Sequence, residues 1–170
     1  KKAKDNLLNL SSKIGEKITL RRSAFVGKDK SINFSYTHSA SKKNVGQLGV
    51  LLSLITTKSK KEILDLGKQL TMQIAASSPL AINKESLDQN ILKKEKEIIT
   101  EELKNSGKDN KIIEKITIGR LNKFITENIL LDQEWIMEPK KKVKDVIKEV
   151  AGKDKIEINQ FVRFKVGEGL

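Results

Sequence analysis

Residues 48–55 read Leu-Gly-Val-Leu-Leu-Ser-Leu-Ile, and this nearly unbroken apolar run constrains the fold more than any other stretch of the chain. It is much shorter than the roughly 18 to 20 apolar residues of a membrane span, and, entered from Gly46, it reads as a strand buried on both faces. A helix follows. Ile63, Leu66, Gly67, Leu70 and Ile74 recur at helical spacing and form one core-facing stripe. The stripe ends in the small side chains Ala75-Ala76-Ser77-Ser78, which allow close backbone packing, before Pro79 stops the helix.

Upstream, a short helix ends near Lys13. Ile18 and Leu20, then Ile32, Phe34, Tyr36 and His38, alternate along two predicted strands, with Gly27 to Lys30 as the turn between them. Alternation places His38 on the face of Phe34 and Tyr36, at the exposed end of its strand. Downstream, residues 84–105 predict a charged amphipathic helix carrying Leu87, Ile91, Leu92, Ile98, Ile99 and Leu103. Ser106-Gly107-Lys108 breaks it, and a second helix runs from about Asp109 to Glu127 with Ile113, Ile116, Leu121 and Phe124 on its apolar side. So short a turn makes the two helices antiparallel, a helical hairpin. Leu130, Leu131, Trp135, Ile136 and Met137 form an apolar connection to Pro139, which is placed to open the next helix. That helix carries Val143, Val146, Ile147 and Val150 and is capped by Gly152. In a final strand Val162, Phe164 and Val166 face one way, Arg163 and Lys165 the other. The fold class is α+β.

Composition narrows the chemistry. With no cysteine and one histidine, disulfides, thiolate zinc sites, cysteine nucleophiles and multi-histidine metal sites all drop out. The sequence contains no phosphate-binding glycine loop, zinc-protease helix, nucleophile elbow or acidic calcium loop. The closing Gly167-Glu168-Gly169 lacks the strand-turn-helix setting of a dinucleotide loop. A Ser-His-Asp site would have to use His38, whose surroundings carry no such pattern. The glutamates between 95 and 102 alternate with lysines as a solvated helix face does. No apolar leader opens the sequence and no span is present, so a soluble protein is expected. The net charge of +12 is uneven: residues 1–60 hold 13 Lys+Arg against 3 Asp+Glu, whereas residues 61–170 hold 21 against 19. Only four arginines occur, at 21, 22, 120 and 163. A lysine-dominated excess without an aromatic series argues for a solvated surface over specific nucleic-acid binding.

Several blocks then fall in one colinear order. They are Lys13-Ile14-Gly15-Glu16, Leu20-Arg21-Arg22, Met72-Gln73-Ile74-Ala75-Ala76-Ser77-Ser78-Pro79, Lys94-Glu95-Lys96-Glu97-Ile98, Gly119-Arg120-Leu121-Asn122-Lys123-Phe124, Met137-Glu138-Pro139 with Val143, and Phe161 to Gly169. Their order and content resemble the elongation factor Ts family over nearly the whole chain.

The resemblance implies a core of small antiparallel sheets packed against helices, with the helical hairpin at about 84–127 as the family's coiled-coil arm. Residues 1–44 would be the latter part of a first core subdomain and 45–170 a second. It also implies that the family's N-terminal helical domain, its Thr-Asp-Phe segment and its C-terminal tail lie outside these residues. The function implied is guanine-nucleotide exchange on elongation factor Tu: binding of its GDP-bound and nucleotide-free forms and promotion of GDP release, without catalysis, cofactor, metal or direct nucleotide binding. Without the intruding Thr-Asp-Phe element, these residues are expected to bind Tu and exchange poorly. Ile14, Gly15, His38, Ile136 and Met137 match positions that approach Tu in the family, although Ile14, Ile136 and Met137 could equally be core residues. The setting implied is the bacterial cytoplasm, with an organelle matrix or stroma as the alternative. Two rival readings stay open: a basic nucleic-acid or ribosome-associated module, and a hairpin that joins two copies of the chain.

Overall fold

The computed structural model describes residues 2–104, 107 and 109–169. Among these residues five α-helices and five strands follow the order α1 (Ala3–Ile14), β1 (Ser31–Lys42), β2 (Val45–Thr56), α2 (Leu64–Ser77), α3 (Gln89–Lys104), α4 (Asn110–Asn128), β3 (Glu134–Trp135), β4 (Glu138–Lys142), α5 (Val143–Ala151) and β5 (Ile156–Lys165). The α+β expectation holds: an antiparallel sheet of order β1-β2-β5 and a small β3-β4 sheet share the structure with the helices.

One face of the large sheet makes the core. Phe34 pairs with Leu52 and Tyr36 with Val50, while Leu52 lies beside Phe161 and Leu54 beside Ile158. Alternation puts these residues on a common face. Leu66, Leu70 and Ile74 of α2 cover it, with Val143 and Ile147 of α5, Leu130 and Trp135 completing the buried cluster. The closest approach is at Gly67, where an added Cβ would run into the Phe34 ring. A glycine in the first turns of a helix thus serves helix-to-sheet packing and no turn geometry. The boundary at residues 44 and 45 falls in the turn of the β1–β2 hairpin, whose strands are hydrogen-bonded in one sheet.

The opposite face of the sheet departs from expectation. The second face of the β2 run is covered only in part, since Ser53 is fully buried there while Leu51 remains 40% exposed. Val162 and Phe164 share this open face with Leu51, while Arg163 points to the covered side and donates from Nε to the Ala75 carbonyl at 3.3 Å, near the end of α2. A basic side chain there favours the carbonyl pole of the helix. In the second half of the edge strand β5 the Val162–Phe164 stripe is therefore the outward one, because the core side there is occupied by the end of α2, whereas Ile156, Ile158 and Phe161 of its first half pack on the core.

Other boundaries shift for local reasons. Residues 17–28 pair with no strand among the described residues, so the expected strand at Ile18 and Leu20 is absent as a ladder. Alternation reports side-chain preference, whereas a strand also needs a hydrogen-bonding neighbour. The amphipathic helix begins at Gln89, after a 3-10 turn at Lys84–Ser86 held by the Asn83 and Ser86 side chains. Pro139 lies within β4, and α5 starts at Val143. Pro is tolerated in an edge strand because its missing N–H faces away from the ladder. Gly152 caps α5 with φ 63° as expected.

α3 and α4 pack together as a helical hairpin, and Arg120 bonds Glu102 across it at 2.7 Å. Gly107 has the left-handed φ of 67°, while Ser106 and Lys108 of the expected turn lie outside the described residues. The hairpin root is held by Ala81, Leu87 and Ile129. Leu130 N–H donates to the Ala81 carbonyl at 2.9 Å and Leu131 N–H to the Ile82 carbonyl at 3.1 Å.

Candidate partner interface

Ile136 and Met137 form the two-residue turn between β3 and β4. They are 40% and 47% exposed, although the neighbouring Trp135 is buried in the core. Core packing therefore does not explain the apolar pair. A tight turn normally carries polar or glycine residues, and two large apolar side chains there cost hydration without a fold benefit.

This turn is fixed from below by a buried polar cluster. Gln73, fully buried on α2, accepts the Ile136 N–H on its Oε1 at 2.9 Å. Its Nε2 donates to the Glu134 carbonyl at 3.2 Å and to Gln133 Oε1 at 3.3 Å. Gln133 in turn donates to the Glu127 carbonyl at 2.7 Å, at the end of α4. The Ser77 hydroxyl lies 2.6 Å from Gln133 Oε1 and 2.7 Å from the Gln73 carbonyl. Each buried amide is thereby satisfied, as burial of polar groups requires. The cluster ties α2, α4 and the β3–β4 turn together. It explains the block Met72 to Pro79 better than small-residue packing alone: Gln73 and Ser77, four residues apart, stand on one helix face and meet the same partner. The apolar pattern passes over Gln73. The available signal was its place three residues after Leu70, inside the buried stripe, where an uncharged amide needs partners.

Ile14 closes α1 and is 50% exposed, and no residue of α1 is buried. Gly15 caps the helix with φ 71° and donates to the Ser11 carbonyl at 3.0 Å. The left-handed conformation, and no steric crowding, is what asks for glycine there. The chain then turns back, Ile18 N–H donating to Ser11 Oγ at 3.1 Å. His38 is exposed on β1, toward the end of the strand and on the face of Tyr36, with Nδ1 2.9 Å from the Tyr36 hydroxyl. The five residues thus occupy three separate elements: the end of α1, the strand β1, and the β3–β4 turn.

A second set of contacts ties the early residues to the last strand. Arg21 donates to the carbonyls of Glu168 and Gly169 at 2.8 and 3.0 Å. Arg22 lies over the Phe164 ring at 4.6 Å and 3.9 Å from Glu168, which also accepts from Arg163 at 2.6 Å. Three of the four arginines converge on this turn. The Arg163 hydrogen bond, with the charges of Arg163 and Arg22, holds the Glu168 carboxyl below its ordinary range. Gly167 to Gly169 is a structural tether in this chain.

These elements offer apolar contact and hydrogen bonds, the means of a docking surface. Among the described residues no group of three or more acidic, histidine or cysteine side chains is gathered as a metal site, and no helix is long and apolar enough to cross a membrane.

The sequence profile described as Elongation factor TS matches residues 1–168. Proteins named Elongation factor Ts are similar to the chain: that of Caulobacter sp. strain K31 is 37% identical over 169 residues, covering 98% of this chain and 54% of its own length. That of Bartonella henselae is 39% identical over 161 residues, covering 92% and 52%. That of Clostridium botulinum type A is 36% identical over 173 residues, covering 100% and 54%. The chain belongs to the elongation factor Ts family. It spans about half the length of these relatives.

Proposed function

We propose that the chain is a binding protein, not an enzyme, that docks on elongation factor Tu in its GDP-bound and nucleotide-free forms and belongs to the machinery that releases GDP. Family membership supports the partner, and the exposed, rigidly held Ile136–Met137 turn is the observation that carries the reading. Ile14, Gly15 and His38 would add contacts from α1 and β1. Large apolar side chains on a braced turn suit a protein partner, because they bury area without first losing backbone freedom.

Coupling to GDP is reciprocal. Whatever factor the docked chain removes from GDP affinity, GDP removes from the affinity of Tu for the chain. These 170 residues contain no Thr-Asp-Phe, the element expected to intrude on the nucleotide site. They would bind Tu but accelerate GDP loss weakly by themselves. The place of action would be wherever Tu works, in the bacterial cytoplasm. The test is titration of the chain into Tu carrying fluorescent GDP. Binding at micromolar concentration with slow GDP loss is expected. No binding refutes the partner, and full exchange by these residues alone refutes the division of labour.

A further inference from the structure

We infer that Gln73 is a positioning residue for partner docking: its side-chain oxygen holds the Ile136 amide so that Ile136 and Met137 are presented as a preformed apolar knob. The inference rests on the proposed docking of that turn and adds the residue that sets its geometry.

The argument begins with the bonding needs of the turn. β3 and β4 are short, pairing only Glu134 with Lys142 and Trp135 with Glu138, with an irregularity between the pairs. Two pairs of residues do not make a self-sufficient hairpin. The Ile136 N–H lies inside the turn and takes its acceptor from a different element, Gln73 Oε1 on α2, at 2.9 Å. The same amide group clamps the turn again through Nε2 to the Glu134 carbonyl, two residues earlier. One side chain therefore fixes both β3 and the turn that follows it.

Its own orientation is fixed in turn. Gln73 has no exposure, and the Glu134 backbone carbonyl, which accepts from its Nε2 at 3.2 Å, determines which end of the amide faces Ile136, with Gln133 Oε1 as a second acceptor at 3.3 Å. α2 that carries it is among the most completely buried helices, with Leu66, Leu70 and Ile74 in the core. The exposed turn is thus referenced to the buried core of the fold. Beside it a cleft lined by Gln73, Ser77, Lys123, Thr126, Glu127 and Ile136 opens along the end of α4. Ile136 belongs to both the knob and the cleft.

A docking loop held in its bound shape loses little freedom on association, so its supports act mainly on how long the complex lasts. Three measurements test the role of Gln73. The first uses the unaltered chain: in hydrogen–deuterium exchange the Ile136 amide is expected to be protected in the free protein, and exchange at the rate of an open loop overturns the inference. The second compares Gln73→Met, which removes the acceptor, with Gln133→Met, which breaks the buried cluster while leaving the Ile136–Gln73 bond. Gln73→Met is expected to speed dissociation from Tu by about tenfold, and Gln133→Met to leave it within about threefold, at stability losses of similar size. Equal effects of the two on dissociation assign Gln73 a purely structural part and overturn the inference. The third is Met137→Asp. If it leaves Tu binding intact, the docking reading itself falls; if it weakens binding while Gln73→Met does not, the docking reading stands and the positioning role is refuted.

Discussion

Gly67→Ala sets two physical effects against each other. In an exposed helix interior, alanine in place of glycine stabilises by about 1 kcal/mol through helix propensity and backbone entropy. Here the new methyl would enter the Phe34 ring, meeting three ring atoms at impossible separations. Phe34 cannot move aside freely, because it is buried at the centre of β1 opposite Leu52. Overpacking of this kind costs roughly 1–3 kcal/mol, and swinging the ring into solvent forfeits about the same, 1.5–3 kcal/mol. Subtracting the propensity gain leaves a net destabilisation of about 1 kcal/mol, or ~2–4 °C in Tm for a chain of this size. Urea unfolding followed by circular dichroism measures it as a lower midpoint at unchanged slope. Adding Phe34→Leu should recover part of the loss, with a coupling of at least ~1 kcal/mol between the two sites. A raised midpoint for Gly67→Ala alone would show that the helix does not press on the ring and would refute the packing scheme.

Met137→Asp should weaken the Tu complex tenfold or more, on the order expected of an apolar anchor, while the urea midpoint stays within about 0.5 kcal/mol; unfolding of the variant would place Met137 in the core. Glu168 has a lowered folded-state pKa, so its contribution is present above its ordinary value of 4.5 and is lost as pH falls through the lower folded value. Glu168→Gln should therefore be less stable than the unaltered chain at neutral pH and converge with it in acid; a gap that persists in acid would remove the arginine tether as the cause. The hairpin carries Ile98, Ile112 and Ile118 about half exposed, and if it joins two copies, sedimentation should give a dimer that a variant lacking residues 88–126 reduces to monomer. An unchanged mass refutes that role. Binding to Tu should change little between low and moderate salt, whereas a phosphate-binding surface would lose affinity steeply.

Much of the architecture was legible in the residues because it is local. The stripe from Ile63 to Ile74, the hairpin helices with Ile113, Ile116, Leu121 and Phe124 inward, and the Gly152 cap all follow from helical periodicity and backbone preference. The colinear blocks carried the family. Of the candidate site, alternation placed His38 on the face of Tyr36, and its position toward the strand end leaves it exposed. For Ile136 and Met137, hydrophobicity alone left core and contact undecided, and the two-residue turn decided that they stand outside the core.

Tertiary structure settled what depends on distant partners. The segment at Ile18 and Leu20 alternates like a strand yet has no ladder among the described residues, since hydrogen-bonding company is not encoded in a single segment. The outward face of β5 carries Val162 and Phe164 because Arg163 is drawn inward by the Ala75 carbonyl, a contact 88 residues apart in the chain. Gln73 is the clearest case. Its identity and helical position are written in the sequence, but its meaning depends on Ile136, 63 residues further on. Periodicity determines which way a side chain points; only packing brings it to the amide it must satisfy.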